Sequence, residues 1–202
     1  MGSIGDMVGG MTSTQILVGL VAFIMLAGSL GFNAYWHAKK ESEIPCLSCL
    51  GLDPVSETFD GEWWTSYPSS YDKAGQPVSH PDFVKSKFNR YSVVLVFLWK
   101  DPCSGCVQQW ESMSDAGLVS GGEEDGKMAK YVSNVALLSL DVNTETGRTA
   151  FDTYGKIKGF EGTPTTAFII ELPDGGYGWF GYVGPMDGAD VDAILQFGMQ
   201  HH

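Results

Sequence analysis

The chain has 202 residues, which is enough for one domain of ordinary size and an appendage. Apolar residues make up 44% of it and aromatic residues 12%, a composition that predicts a packed core and excludes a wholly disordered chain. The net charge of -12 argues against nucleic acid as a partner, because phosphates would repel such a surface, and against electrostatic docking on anionic lipid.

The first predicted element is a membrane anchor. After a tail of residues 1–14, an apolar run predicts one transmembrane helix over residues 15–37, because about 20 apolar residues span a bilayer core. Tyr35 and Trp36 stand where interfacial aromatic residues belong, and Lys39 follows them. A cleaved signal peptide is the alternative, but a basic n-region and an A-x-A cleavage site are missing and the apolar run is long.

Residues 38–90 are predicted to be a mostly irregular connector, because no period of 2 or 3.6 runs through them. The first of two C-x-x-C pairs, Cys46 and Cys49, lies here between the loop residues Pro45 and Gly51. Its role stays open between a structural disulfide, a second redox pair and a metal-binding pair. Zinc held by all four cysteines is disfavoured, because the gap between the two pairs is far longer than zinc sites use.

An aromatic cluster follows in the same connector, formed by Trp63, Trp64, Tyr67 and Tyr71. Such residues dominate binding hot spots, so a docking patch is one interpretation. We favour the other interpretation, in which the cluster covers the edge of the following domain.

From residue 91 to residue 202 the pattern predicts an α/β domain. Short β-branched apolar runs predict strands, and apolar residues at helical spacing predict helices. A Pro-Asp-Gly-Gly turn makes a hairpin of the last two strands, and Asp187 caps the last helix. The predicted strands are 92–99 and 135–140, both expected to be buried, then 165–171 and 177–183. The predicted helices are 103–114, with Val107, Trp110 and Met113 at the spacing of one apolar face, then 125–133, 144–154 and one after Asp187. This order indicates a mixed central sheet flanked by helices.

The second pair, Cys103 and Cys106, lies at the start of the helix that follows the first strand of this domain. The positive end of a helix dipole and its unpaired N–H groups favour a thiolate, the form that attacks a disulfide. We expect Cys103 to be the exposed attacking sulfur and Cys106, a turn further in, to resolve the mixed disulfide. Pro102 and Gly105 shape the turn. The alternative is a structural disulfide that only stabilises the start of the helix.

A second motif, Gly162-Thr163-Pro164-Thr165, begins the third strand. Proline is rarely tolerated in a central strand, so its position at the entry predicts a cis peptide bond in a tight turn. Such a bond would leave the Thr163 backbone free to bond an extended partner chain beside the sulfurs. An ordinary trans proline is the alternative.

In these motifs the chain resembles the thioredoxin superfamily, over about residues 91–200. The matching segments are LVFLWKDPCSGC, LDVN, GTPT, ELPDGG and GYVG. The resemblance implies a thioredoxin-like fold in which Cys103 is the nucleophile and Cys106 the resolving thiol. It also implies that Trp99 packs under the site. The residues we expect at the substrate are Thr163, Pro164, Trp99 and Pro102. With its anchor, the chain is similar to membrane-anchored thioredoxin-like proteins of bacterial and archaeal envelopes.

Two positions depart from thioredoxin. The buried aspartate that thioredoxin carries six residues before its first cysteine is Phe97 here, and the tryptophan just before that cysteine is Pro102. The missing aspartate puts the route of the resolving thiol's proton in doubt, so that water or another base must serve.

Together these features predict a membrane-tethered thiol–disulfide oxidoreductase that acts on protein thiols or disulfides without a metal or another cofactor. An integral-membrane electron donor or a membrane complex is a further expected partner. The main alternative is a non-enzymatic accessory subunit with a structural disulfide, and a copper metallochaperone ranks lower. Lysines beyond the anchor favour a cytoplasmic domain, but an oxidising compartment suits the cysteines better, so we expect the domain outside the cytoplasm.

Overall fold

The computed structural model of the chain describes residues 58–202. The predicted tail, the anchor over residues 15–37 and the Cys46–Cys49 pair lie outside these residues and stay predictions. Among residues 58–202, no helix combines the length and the apolar character needed to cross a membrane.

A four-stranded mixed sheet organises the described residues. The elements in chain order are α1 (Asp82–Lys85), a 3-10 helix (Ser86–Asn89), β1 (Val93–Trp99), α2 (Ser104–Asp115), β2 (Val119–Ser120), β3 (Lys127–Met128), β4 (Val135–Asp141), α3 (Glu145–Tyr154), β5 (Lys156–Ile157), β6 (Phe160–Glu161), β7 (Thr165–Glu171), β8 (Tyr177–Val183) and α4 (Gly188–Gln200). The sheet has the order β4-β1-β7-β8, with β4 parallel to β1 and the other neighbours antiparallel. This mixed sheet with flanking helices is consistent with the predicted thioredoxin-like fold.

Strand β1 is buried on both faces, which explains its continuous apolar sequence. Alternate side chains enter two separate cores, because successive residues of a strand point to opposite faces. On one face, Phe97 and Trp99 join residues of α2 and α4; on the other, Val96 and Leu98 join residues of α3. Each large apolar side chain buried in this way contributes about 1.5–3 kcal/mol. The sheet is thereby fixed between two helical layers, and the carboxyl end of β1 is held firmly where α2 begins.

The aromatic segment before β1 packs on the edge of the sheet. Trp64 and Trp179 exchange two backbone hydrogen bonds of 2.9 Å, so the segment adds a bridge beyond β8. The rings of Trp64 and Tyr71 lie 5.2 Å from that of Trp179, and Tyr67 and Tyr71 are buried. The edge interpretation of this cluster is therefore the one that the structure favours.

Two expectations about the middle of the domain are wrong. The helix predicted over residues 125–133 is absent, because the Asp125 carboxylate accepts the Gly122 N–H in a loop and residues Lys127–Met128 pair with β2 instead. Strand β4 was expected to be buried, but it is an edge strand, and only Val135 and Ala136 in it are buried.

Candidate active site

The cysteine pair lies at the start of α2, as its sequence position predicts. Cys103 is the N-cap residue of this 12-residue helix, with an extended backbone (φ -152°, ψ 100°). Its Sγ accepts the backbone N–H of Cys106 at 3.2 Å, and the two Sγ atoms are at disulfide-bonding distance. A sulfur in this place receives one of the N–H groups that a helix start leaves unpaired, together with the positive end of the helix dipole. Both effects favour a negative charge on Cys103 once the disulfide is reduced.

The loop before β7 lies against the first of these sulfurs. The Thr163–Pro164 peptide bond is cis, as predicted. The Thr163 hydroxyl donates to Cys103 Sγ at 3.6 Å, and the Thr163 carbonyl oxygen lies 3.8 Å from the same sulfur. The loop is held by two further bonds, from the Thr165 hydroxyl to the Gly162 carbonyl and from the Gly184 N–H to the Pro164 carbonyl, each 2.8 Å long.

The expectation that Cys103 is an exposed sulfur is wrong. Only 4% of the residue is exposed, because it belongs to the apolar core cluster and Thr163 packs on it. Cys106 has no exposed surface at all, so the expected order of access, Cys103 before Cys106, is retained. Thr163 and Pro164 are buried as well.

The other predicted site residues occupy two different environments. Trp99 is buried in the same core cluster as both cysteines, which is the place under the site that the resemblance implies. Pro102 is exposed, and its peptide bond to Asp101 is cis, which was not predicted. Val107 was expected on the apolar face of α2, but it is 48% exposed, one turn after the first cysteine. Contact of these residues with a substrate stays a prediction.

A buried glutamine, which the sequence analysis missed, ties three parts of the site together. The Gln109 amide donates to the Thr166 hydroxyl on β7 and accepts the Met186 N–H from the loop before α4 at 3.2 Å. Gln109 is 1% exposed, so neither bond is replaced by water. A single side chain of α2 thereby fixes the helix against the strand that follows Pro164.

Histidine and acidic side chains form no metal centre in the part of the chain that the structure describes. No group of three or more His, Cys, Asp or Glu residues there could hold a metal ion. His80, to which the sequence analysis gave no role, is buried with its Nδ1 2.9 Å from the Tyr154 hydroxyl. It lies in the core on the α3 face of the sheet, and its role there is structural.

No family model matches the chain, and no curated protein matches it. Among solved structures, the chain is similar to a thioredoxin from Thermus thermophilus whose structure was determined in solution. The two are 20% identical, the match covers 67% of this chain and 85% of that one, and the TM-score is 0.36. A similarity this remote carries no functional conclusion.

Proposed function

We propose that this chain is a thiol–disulfide oxidoreductase that exchanges disulfides with protein partners through Cys103 and Cys106. In this proposal the helix predicted over residues 15–37 tethers the domain to a membrane. The observation that carries the proposal is the position of Cys103 Sγ, which accepts an N–H at a helix start and touches the cis-proline loop. Those are the surroundings in which a thiol becomes a reactive thiolate.

The reaction follows from this geometry. In the reduced protein, the Cys103 thiolate attacks a partner disulfide, forms a mixed disulfide and releases one partner sulfur as a thiolate. Cys106 then loses its proton and attacks Cys103 Sγ, which closes the Cys103–Cys106 disulfide and releases the second partner sulfur. The partner gains two electrons and two protons as the pair is oxidised. Run in reverse, the same steps oxidise a partner, so the geometry serves a reductant, an oxidant or an isomerase.

The exposed surface around the first cysteine is where we expect a partner to dock. Pro102, Ser104 and Val107 are exposed and lie next to the largely buried Cys103. The exposed apolar side chain of Val107 offers contact area to a protein partner, whereas a small disulfide reagent would need only the sulfur.

An accessory subunit with a structural disulfide is the second candidate, and one observation favours it. Cys103 is 4% exposed and Thr163 is not exposed at all. Such burial is typical of a structural disulfide that stabilises the start of a helix. In this alternative, the chain would bind a membrane complex without turning over thiols.

Capture of a mixed disulfide separates the two candidates. The full-length protein carrying Cys106→Ser, with Cys46 and Cys49 also replaced by serine, is reduced, freed of the reductant and incubated with insulin as the protein disulfide. The proposal predicts a covalent adduct through Cys103 that dithiothreitol releases, because no second thiol resolves it. The matched variant Cys103→Ser, which keeps Cys106, should form none. Equal, slow labelling of both variants would favour the accessory subunit.

The membrane topology and the connector pair complete the proposal. We place the domain outside the cytoplasm and leave Cys46 and Cys49 as either a structural disulfide or a second pair that passes electrons from a membrane donor. When intact cells are mildly reduced and treated with a membrane-impermeant thiol reagent, we expect the cysteines of this protein to be modified. If they react only after the cells are lysed, the domain lies in the cytoplasm. If the connector pair passes electrons from a membrane donor, replacing both of its cysteines by serine should abolish the reduction of the Cys103–Cys106 disulfide by isolated membranes. If the pair is a structural disulfide, that reduction should persist.

A further inference from the structure

Strand β4 forms one edge of the sheet, and backbone groups on its outer side have no partner. Asn134 accepts a backbone hydrogen bond from β1, and Val142 donates one to β1. In a parallel ladder these groups alternate from residue to residue, so the even-numbered residues of β4 face β1 and the odd-numbered ones face outwards. The N–H and C=O groups of Leu137 and Ser139 therefore point away from the sheet. Neither residue makes a backbone hydrogen bond on that side to another of residues 58–202.

The sequence of β4 leaves this edge open to another strand. Many proteins block a sheet edge with charged residues or proline, because unpaired backbone groups are a template for pairing with another chain. The first six residues of β4 are VALLSL and contain neither. The ladder to β1 also runs without a bulge from Val93 and Val135 to Trp99 and Asp141. The strand is therefore regular enough to pair on its second side.

A groove of about 260 Å³ lies along the same edge. Val135, Ala136 and Leu137 line it, although Val135 and Leu137 pack on one core cluster and Ala136 on the other. Because successive side chains of a strand point to opposite faces, a groove that touches all three lies beside the backbone of the strand. Val132 lines the groove as well and is 57% exposed. The groove thus offers apolar contact next to the open backbone groups.

The rim of this groove is basic. Lys87, on the 3-10 helix, and Lys127, on β3, both line it, and none of its lining residues within 58–202 is acidic. Neither lysine belongs to an ion pair among those residues. The whole chain carries 24 acidic and 12 basic residues, so the rim is opposite in sign to the molecule. Such a rim attracts an acidic ligand, whereas two copies paired through β4 would bring like lysines together.

We propose that an extended, acidic segment of a partner protein binds in this groove and adds a strand to β4. Its backbone bonds to the outward N–H and C=O groups of Leu137 and Ser139, which supplies affinity without regard to sequence. An apolar side chain of the segment contacts Val132, and flanking acidic side chains reach Lys87 and Lys127. The charge pattern and the apolar contact supply the selectivity.

This surface is separate from the cysteine pair. Val135 pairs with Val93 at the start of β1, whereas Cys103 follows Trp99 at the end of β1. The length of the strand between these two ends is about 20 Å, so the groove and the pair lie at opposite ends of the sheet. A partner bound here leaves the cysteines accessible, and the inference does not depend on the proposed function.

The test measures the binding of a fluorescent peptide to the oxidised full-length protein in detergent by fluorescence anisotropy. The peptide has the length of β4, and glutamate alternates with valine in it. One control peptide has lysine in place of glutamate. In a second control every backbone nitrogen is methylated, so that the peptide keeps its charge but cannot pair with a strand.

We expect saturable binding of the glutamate peptide, and binding at least about tenfold weaker for both controls, because each lacks several of the proposed bonds. Lys127→Glu should weaken the binding at least about threefold, since it replaces an attraction at the rim by a repulsion. Lys158→Glu, which reverses the charge of an exposed lysine outside the groove, should bind like the parent.

A second variant tests the backbone of β4 itself. Leu137→Pro removes an N–H that the ladder to β1 does not use, and proline is tolerated at such positions of edge strands. It should weaken binding at least about tenfold. Absence of binding to the parent, equal binding of the methylated peptide, or equal effects of Lys127→Glu and Lys158→Glu would overturn the proposal, whether or not Leu137→Pro folds. Sedimentation that shows a dimer of the parent, lost in Leu137→Pro, would assign the edge to a second copy and overturn it as well.

Discussion

His80 makes the stability of the domain depend on pH in a way that its surroundings determine. The imidazole is 6% exposed, and its Nδ1 pairs with the Tyr154 hydroxyl at 2.9 Å. Burial, and second the positive charge of Lys85, lower the pKa of His80 from 6.5 to about 4. In the unfolded chain the imidazole regains its ordinary pKa of about 6.5.

Between these two pKa values the unfolded chain binds a proton that the folded chain does not. The contribution of His80 to stability is therefore fully present above pH 6.5, is lost as the pH falls to about 4, and then levels off. Because one pKa unit corresponds to about 1.4 kcal/mol, the lowering from 6.5 to about 4 amounts to about 3 kcal/mol in the free energy of unfolding.

The assay is urea unfolding of the oxidised full-length protein in detergent, followed by circular dichroism over this pH range. Carboxylates titrate there too, so the quantity of interest is the difference between the parent and His80→Gln. We expect the parent to lose about 3 kcal/mol more than His80→Gln as the pH falls through the window. His201→Gln, which alters an exposed histidine, should follow the parent. Parallel curves for the parent and His80→Gln would refute the reasoning.

Two further predictions concern the site. Gln109→Ala leaves two buried partners unpaired and should lower the free energy of unfolding by about 2–4 kcal/mol in urea denaturation. Gln108→Ala, at the exposed neighbour, should change it by less than about 0.5 kcal/mol, and equal losses would contradict the role of the buried amide. Val107→Lys should weaken insulin reduction several-fold without slowing the reaction with a small disulfide. Val132→Lys, at the other large exposed apolar side chain among residues 58–202, is the control. If both variants behave alike, Val107 is not at the docking surface.

The parts of the fold that were predictable have local signals. The apolar run ending at Trp99 is a strand because it is buried on both faces, and Pro102 and the cysteine spacing mark the helix start after it. Asp187 caps α4 by accepting the Ala189 N–H at 3.1 Å, as its position before the apolar periodicity indicates. Each of these features depends on neighbours in sequence, so the pattern alone reveals it.

The parts that were not predictable depend on contacts between residues far apart in the chain. Gln109 bonds to Thr166, 57 residues later, and nothing in its neighbourhood distinguishes it from Gln108. Glu123 is one of two adjacent acids in a loop with a solvated composition, and its backbone carbonyl accepts a bond from Ser139, 16 residues later in the chain. The failed helix over residues 125–133 has the same origin, because tertiary pairing overrides a weak local preference.

The most direct test is the titration of the Cys103 thiol in the reduced full-length protein, measured as the rate of alkylation against pH. Cys106→Ser in a background without the connector cysteines leaves Cys103 as the single thiol. Since its Sγ accepts the N–H of residue 106 at a helix start, we predict that alkylation reaches half its maximal rate clearly below the ordinary thiol pKa of about 8.5. A midpoint at or above that pKa would show that the helix start does not favour the thiolate, and would contradict the proposed function.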